Sequence, residues 1–121
     1  MLLSIVVSFR NEELVLEELV RRLRTAIASL GVRYEMIFVN DASTDRSLQI
    51  LMDFAKEGNK DIKIINTTRR FGHDPCIFLG LSYASGDAVV CIEADLQDPP
   101  ELIPRMFEEL KNGVDIVYTF R

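Results

Sequence analysis

The sequence has little cysteine, a single histidine, no long apolar run and no basic cluster, and each scarcity narrows its function. Cys76 and Cys91, the two cysteines among 121 residues, lack C-x-x-C spacing and read as reduced, buried thiols of a cytosolic protein. His73 stands close before Cys76, but nothing else suggests a nucleophilic triad, and Cys76 reads as first-turn packing of a helix. Glycine is missing where a dinucleotide site needs it. The first apolar run passes straight into SFRNEE without G-x-G-x-x-G, which disfavours a dinucleotide cofactor bound in the usual Rossmann manner. MLLSIVVSF is too short to cross a bilayer and lacks the basic start of a signal peptide, so membrane contact is expected only through sequence downstream of this chain. The net charge is -5 and no basic patch stands out, so nucleic acid is not an expected partner. An acidic protein that binds an anion needs a metal or a few placed arginines.

What is present is alternation. With 48% hydrophobic and 27% charged residues, and with no repeat or low-complexity linker, the chain reads as one soluble domain with one core. Short β-branched runs predict strands at 3–8, 34–39, 61–66, 87–92 and 114–120. Leu16, Leu19, Val20, Leu23, Ile27 and Leu30 recur at helical spacing before Gly31. A second helix holds Leu48, Leu51, Met52 and Ala55, with Ser43 or Thr44 as its N-cap and Gly58 near its end. Asp74-Pro75 opens a third helix through Ala84, and Gly86 ends it. Pro99 or Pro100 opens a fourth, which Gly113 stops. Strands separated by helices mean right-handed crossovers. The fold class is α/β: a Rossmann-like, mostly parallel sheet of about five strands with helices on both faces.

Ligands of such sheets sit beyond the C-terminal strand ends. The first strand delivers Ser8, Arg10, Asn11 and Glu12 there, and the second Asn40 and Asp41. The third delivers Thr68, Arg69 and Arg70, the fourth Glu93, Asp95 and Gln97, and the fifth Arg121. The densest stretch is EADLQDPPE, where a buried strand ends in oxygen ligands and a helix starts at once. Hard divalent cations want such ligands, and Mg²⁺ or Mn²⁺ is usually held by one or two carboxylates plus substrate phosphates. Glu93, Asp95 and Gln97 suit that role. Asp98 reads first as a helix cap, with Glu101 completing a capping box. No cap or salt-bridge role is evident for Asp95, so it reads first as a ligand. Asp41 precedes the cap of the second helix and is read as free to bind something. Arg69 and Arg70 are either a solvated pair or a counter to phosphate charge.

Six stretches in order along the chain, VVSFRNEE, FVNDASTD, RRFGHD, LGLSYASGD, EADLQDPPELIP and DIVYTFR, together resemble the nucleotide-sugar-binding half of family 2 glycosyltransferases. Those have the GT-A fold, and the motifs look like those of dolichyl- or polyprenyl-phosphate sugar transferases. The family's V-P-x-Y-N-E cradles the nucleoside; Ser8 and Arg10 replace its proline and tyrosine, while Asn11 and Glu12 match. Its V-D-D-G-S-T-D contacts base and ribose through the second Asp, here Asp41; Asn40 and Ala42 depart from the pattern. Its D-A-D-L-Q holds metal and diphosphate; Glu93 replaces the first Asp, while Asp95 and Gln97 match. Arg69 matches the Arg of R-N-F-G, and Arg121 matches a position near the diphosphate. The resemblance extends the donor-binding set to Val39 and Ala94.

The resemblance thus implies a metal-assisted, inverting transfer from a nucleotide-diphosphate sugar to a polyprenyl phosphate or a saccharide, at the cytoplasmic face of a membrane and serving the cell envelope. It also implies that the acceptor site and general base follow the fifth strand, so the chain is expected to be the donor-binding portion of a longer domain. Two other readings are a receiver-like regulatory module and a folded scaffold. A receiver needs an Asp ending its third strand and a Lys ending its fifth, where this chain has Asn66 and Arg121.

Overall fold

The computed structural model describes residues 1–57, 61–97 and 99–113. Four parallel strands, β1 (Leu2–Phe9), β2 (Arg33–Asn40), β3 (Ile62–Asn66) and β4 (Ala88–Glu93), lie in the order β3-β2-β1-β4. That is the order of a Rossmann half, whereas a receiver places the third strand beside the first. The α-helices are α1 (Leu16–Ala28), α2 (Ser47–Ala55), α3 (His73–Tyr83) and α4 (Ile103–Lys111), the last entered through a 3-10 turn at Pro100–Leu102. The fifth strand, Gly58, Asp98 and Arg121 lie outside the described residues. None of the described helices is long and apolar enough to cross a membrane.

β1 is central, and its near-continuous apolar run is explained by cover on both faces. Leu3, Ile5, Val7 and Phe9 point into the larger core, with Leu19 and Leu23 of α1, Leu51 of α2 and Phe107 of α4. Val6 joins Ile37, Val39 and Cys76 under α3. Each such buried side chain contributes about 1.5–3 kcal/mol relative to exposure. Gly80 lets α3 sit this close: a Cβ there would lie 2.3 Å from Val6 Cγ1 and 3.1 Å from Val39 Cγ2. Beneath α3 the buried Glu35 accepts from Ser4 Oγ (2.5 Å), Lys63 Nζ (2.6 Å) and the Ser85 amide (2.7 Å). Burial works to raise its pKa, but these partners outweigh it and hold the carboxyl low.

Several local expectations are corrected. α2 begins at Ser47 rather than after Ser43 or Thr44, because the Asp45 carboxylate accepts from the Ser47 amide at 2.9 Å. α3 begins at His73 behind Gly72, whose φ of +95° breaks the chain direction, so Pro75 lies inside the first turn. Glu101 pairs with Arg22 of α1, its Oε2 accepting from Nε at 3.0 Å; the capping box with Asp98 lies outside the described residues. Cys76 is buried as expected, but Cys91 is exposed, since β4 is an edge strand among the described residues.

Candidate functional site

The parallel register brings the strand ends level. Phe9 pairs with Asn40, Asn40 with Asn66, and Ser8 with Glu93. At this edge lies a cavity of about 190 Å³ lined by Ser8, Phe9, Arg10, Glu12, Asp41, Arg70, Gly72, His73, Glu93, Ala94 and Asp95. Seven of the sequence-derived site residues therefore meet: Ser8, Arg10, Glu12, Asp41, Glu93, Ala94 and Asp95.

Three do not line it. Val39 is fully buried against α3, forming the seat for Gly80. The Arg69 guanidinium stacks over the Phe71 ring at 4.4 Å, and Arg70 takes the place at the cavity wall. Gln97 is exposed past the end of β4, and its amide donates to Asp95 Oδ1 at 3.1 Å.

The loops at this edge are bolted together. Asn11 Oδ1 accepts from the Thr44 amide at 2.7 Å, and the Asn11 amide donates to Ser43 Oγ at 3.1 Å. The Glu12 amide donates to Ser47 Oγ at 2.8 Å, and the Glu13 amide to Asp45 Oδ2 at 3.2 Å. Among the described residues, three non-glycine residues just past strand ends take left-handed backbone: Asn11 (φ 54°), Ala42 (φ 54°) and Leu96 (φ 63°). Each such residue costs about 1 kcal/mol, a strain typical of sites whose surroundings over-determine the backbone. β4 ends at Glu93, and the turn that carries Ala94 and Asp95 reaches its left-handed residue at Leu96.

Asp41 has a structural task that the sequence did not show. It is 5% exposed. Its two oxygens accept from the Phe71 amide at 2.7 Å and the Gly72 amide at 2.9 Å. Burial works to raise its pKa; the two amides, the Cys76 thiol and the Arg70 charge outweigh it and depress the value. The Cys76 thiol is pushed up to about 11, by burial first and then by Asp41, which removes it as a nucleophile at neutral pH.

The other side of the cavity is acidic. Glu12 is pushed up by burial and then by the charges of Asp95, Asp45 and Glu93. A divalent cation would relieve that repulsion, and the oxygen donors suit Mg²⁺ or Mn²⁺. Among the described residues no group of three or more His, Cys, Asp or Glu side chains is placed to hold a metal by itself. Facing the acids are Arg10 and Arg70. Arg10 Nε is buried without a hydrogen-bond partner among the described residues, a donor suited to a ligand acceptor.

Residues 4–121 match the sequence family described as glycosyl transferase family 2. The chain belongs to this family. It is 48% identical over 118 residues to the uncharacterized glycosyltransferase YkcC of Bacillus subtilis, covering 98% of this chain and 36% of that protein. It is 46% identical over 119 residues to the uncharacterized glycosyltransferase sll0501 of Synechocystis, covering 98% and 37%. The chain thus spans little more than a third of the length of these curated relatives. Among solved structures it resembles the mannosyltransferase PcManGT of Pyrobaculum calidifontis in complex with GDP-Man and Mn²⁺, with a TM-score of 0.66 at 23% identity, over 77% of this chain and 27% of that one. It also resembles S. aureus TarS 1-349 in complex with UDP-GlcNAc, with a TM-score of 0.66 at 22% identity, over 98% and 37%. At these identities the likeness concerns the fold, which is GT-A.

Two departures from the family 2 motif have structural readings. Asn40 Nδ2 donates to Asn66 Oδ1 at 3.0 Å, and Asn40 Oδ1 accepts from the Ser43 amide at 3.0 Å, so this position ties β2 to β3 and to the loop. Ala42 holds a left-handed conformation where the motif has glycine. Ala42→Gly should therefore raise stability by up to about 1 kcal/mol, read as a higher urea midpoint. An unchanged or lower midpoint would show that the loop bears no strain there.

Cavity-lining residues that the sequence reading did not carry into the site are Phe9, Gly72 and His73, while Arg70, which it named beside Arg69 as a possible counter to phosphate charge, does line it. The signal lay in RRFGHD: once Gly72 turns the chain, the helix begins one residue before Asp74 and sets the imidazole over the ends of β1 and β4.

Proposed function

We propose that this chain is the donor-binding portion of a metal-assisted, inverting glycosyltransferase that takes a nucleotide-diphosphate sugar and passes the sugar to a polyprenyl phosphate at the cytoplasmic face of a membrane. One observation carries the reading: a single cavity at the strand ends sets the carboxylates Glu12, Glu93 and Asp95 beside Arg10 and Arg70. Asp95, with Glu93 and Gln97 as further oxygen ligands, would hold Mg²⁺ or Mn²⁺. The bound cation would supply charge neutralisation for the leaving diphosphate. Arg10 and Arg70 would face its phosphates, and Asp41, by holding Phe71 and Gly72, shapes the floor against the nucleoside. Fold neighbours solved with GDP-Man and Mn²⁺, and with UDP-GlcNAc, support a nucleotide-sugar ligand. The lipid-phosphate acceptor rests on the motif resemblance.

The cavity is smaller than the roughly 300–1,000 Å³ usual for a ligand site, which suits a half-site whose acceptor wall comes from further sequence. With Glu12 in the motif that cradles the nucleoside, Asp41 holding the loop, and Glu93 and Asp95 given to the cation, no acid lining it is left as general base. The 121-residue chain should therefore transfer no radiolabelled sugar from nucleotide to a polyprenyl-phosphate extract. The same chain extended by downstream sequence to the length of its relatives should do so. Transfer by the short chain would place the acceptor site within these residues, and absence of transfer by both would refute the lipid acceptor.

A further inference from the structure

α3 is unlike α1 and α4. α1 turns Glu17, Glu18 and Arg21 to water, and α4 turns Arg105, Glu108 and Glu109, as a half-buried helix should. α3 buries Cys76 and Gly80 against the sheet. At about 100° per residue, Phe78, midway between them in sequence, points directly away. Phe78 is 71% exposed, and Leu81, its i+3 neighbour, is exposed with it, as is Tyr83 at the helix end. Ser82 turns its hydroxyl back onto the Phe78 carbonyl at 2.9 Å, so it adds little polarity to this face. Beyond Asp74 the helix carries no charged side chain. The loop before α3 adds the exposed Phe71, with the Arg69 guanidinium over its ring. Aromatic and leucine side chains bordered by arginine are the composition of a surface that lies in a membrane interface, rings at headgroup depth and guanidinium against lipid phosphate. The same segment borders the donor cavity, whose wall includes Arg70, Gly72 and His73. A lipid-phosphate acceptor is confined to the bilayer surface, so a donor cavity that serves it must come to rest there.

We propose that the outer face of α3, with Phe71 and Arg69 at its entry, rests on an anionic membrane surface and so brings the donor cavity to the lipid headgroups. This rests on the lipid-acceptor reading above, and it adds a contact within this chain to any made by downstream sequence. Phe78 and Leu81 supply the apolar footing. Arg69, which stays out of the cavity, supplies charge complementary to anionic lipid.

The chain has no tryptophan, so Phe78→Trp installs a single reporter at a surface position where substitution leaves the fold nearly unchanged. Vesicles of equal parts phosphatidylglycerol and phosphatidylcholine should shift its emission to the blue, and brominated acyl chains should quench it. Arg69→Ala in the same background should weaken that binding about fivefold, the scale of one basic side chain at such a surface. Met52→Trp, on the outside of α2 beyond the opposite face of the sheet, should report no shift. A silent Phe78→Trp reporter, or an equal shift at Met52→Trp, would overturn the proposal. So would Phe78→Trp emission that is blue before lipid is added: growing with protein concentration, it would assign the face to a second copy; appearing only in the extended chain, to downstream sequence. Sugar transfer to polyprenyl phosphate by the extended chain with a silent reporter would remove this docking face alone. A lipid-bound reporter without transfer would uphold the face and refute the lipid acceptor.

Discussion

Asp41→Ala should destabilise the fold by about 3 kcal/mol at neutral pH, the cost of removing a buried charged acceptor from two backbone donors. Both amides it serves, Phe71 and Gly72, belong to the loop that enters α3. The chain would lose its grip on that loop, and the start of α3 with its imidazole would drift from the cavity. Nucleoside affinity should fall along with stability. The pH dependence has a definite sign. The folded pKa of Asp41 is depressed below its ordinary 3.8, so its stabilisation is fully present above the unfolded value and is lost as pH falls through the folded one. The gap between the unaltered chain and Asp41→Ala, measured by urea melts, should be constant above about pH 5 and shrink below 3.8. A gap that persists undiminished in acid would show that the carboxylate charge is not what holds the loop.

Asp95→Ala should act in the opposite manner, with a large effect on ligand and a small one on fold. Asp95 lines the cavity, and its side chain accepts from the backbone amide of Gln97 within its own loop. Stability should stay within about 0.5 kcal/mol. Metal-supported binding of a nucleoside diphosphate should weaken by roughly 100-fold, since a cation bridging phosphates contributes several kcal/mol. A mutant that keeps Mn²⁺-enhanced binding would move the metal elsewhere in the cavity.

The contrast between these aspartates shows what the sequence made legible. Position along the chain was enough to place both at strand ends, because β-branched runs such as LSIVVS and DAVVCI mark the strands and a parallel sheet gathers their C-terminal ends. The sheet edge and most of the cavity's polar residues follow from that. What the sequence could not display is how a side chain is used once the loops meet. Asp41 looked free because its partners are backbone amides far along the chain, which carry no residue-type signature. Arg69 and Arg70 are adjacent, and only the turn at Gly72 decides which one faces the cavity and which one stacks on Phe71. His73 was weighed against Cys76, its neighbour in sequence, while its hydrogen-bond partner, Ser8, belongs to β1. Val39 enters the site set through the family resemblance, yet strand alternation turns it under α3. Local propensity located the elements; long-range hydrogen bonds assigned the tasks.

The most direct measurement is calorimetric titration of the chain with UDP and with GDP, each in Mn²⁺ and again in EDTA. The account predicts that at least one of these nucleotides binds, and that chelation weakens it by roughly 100-fold. Equal affinity in Mn²⁺ and EDTA, or no binding of either nucleotide in Mn²⁺, would contradict the assignment of this cavity as a metal-assisted nucleotide-sugar site.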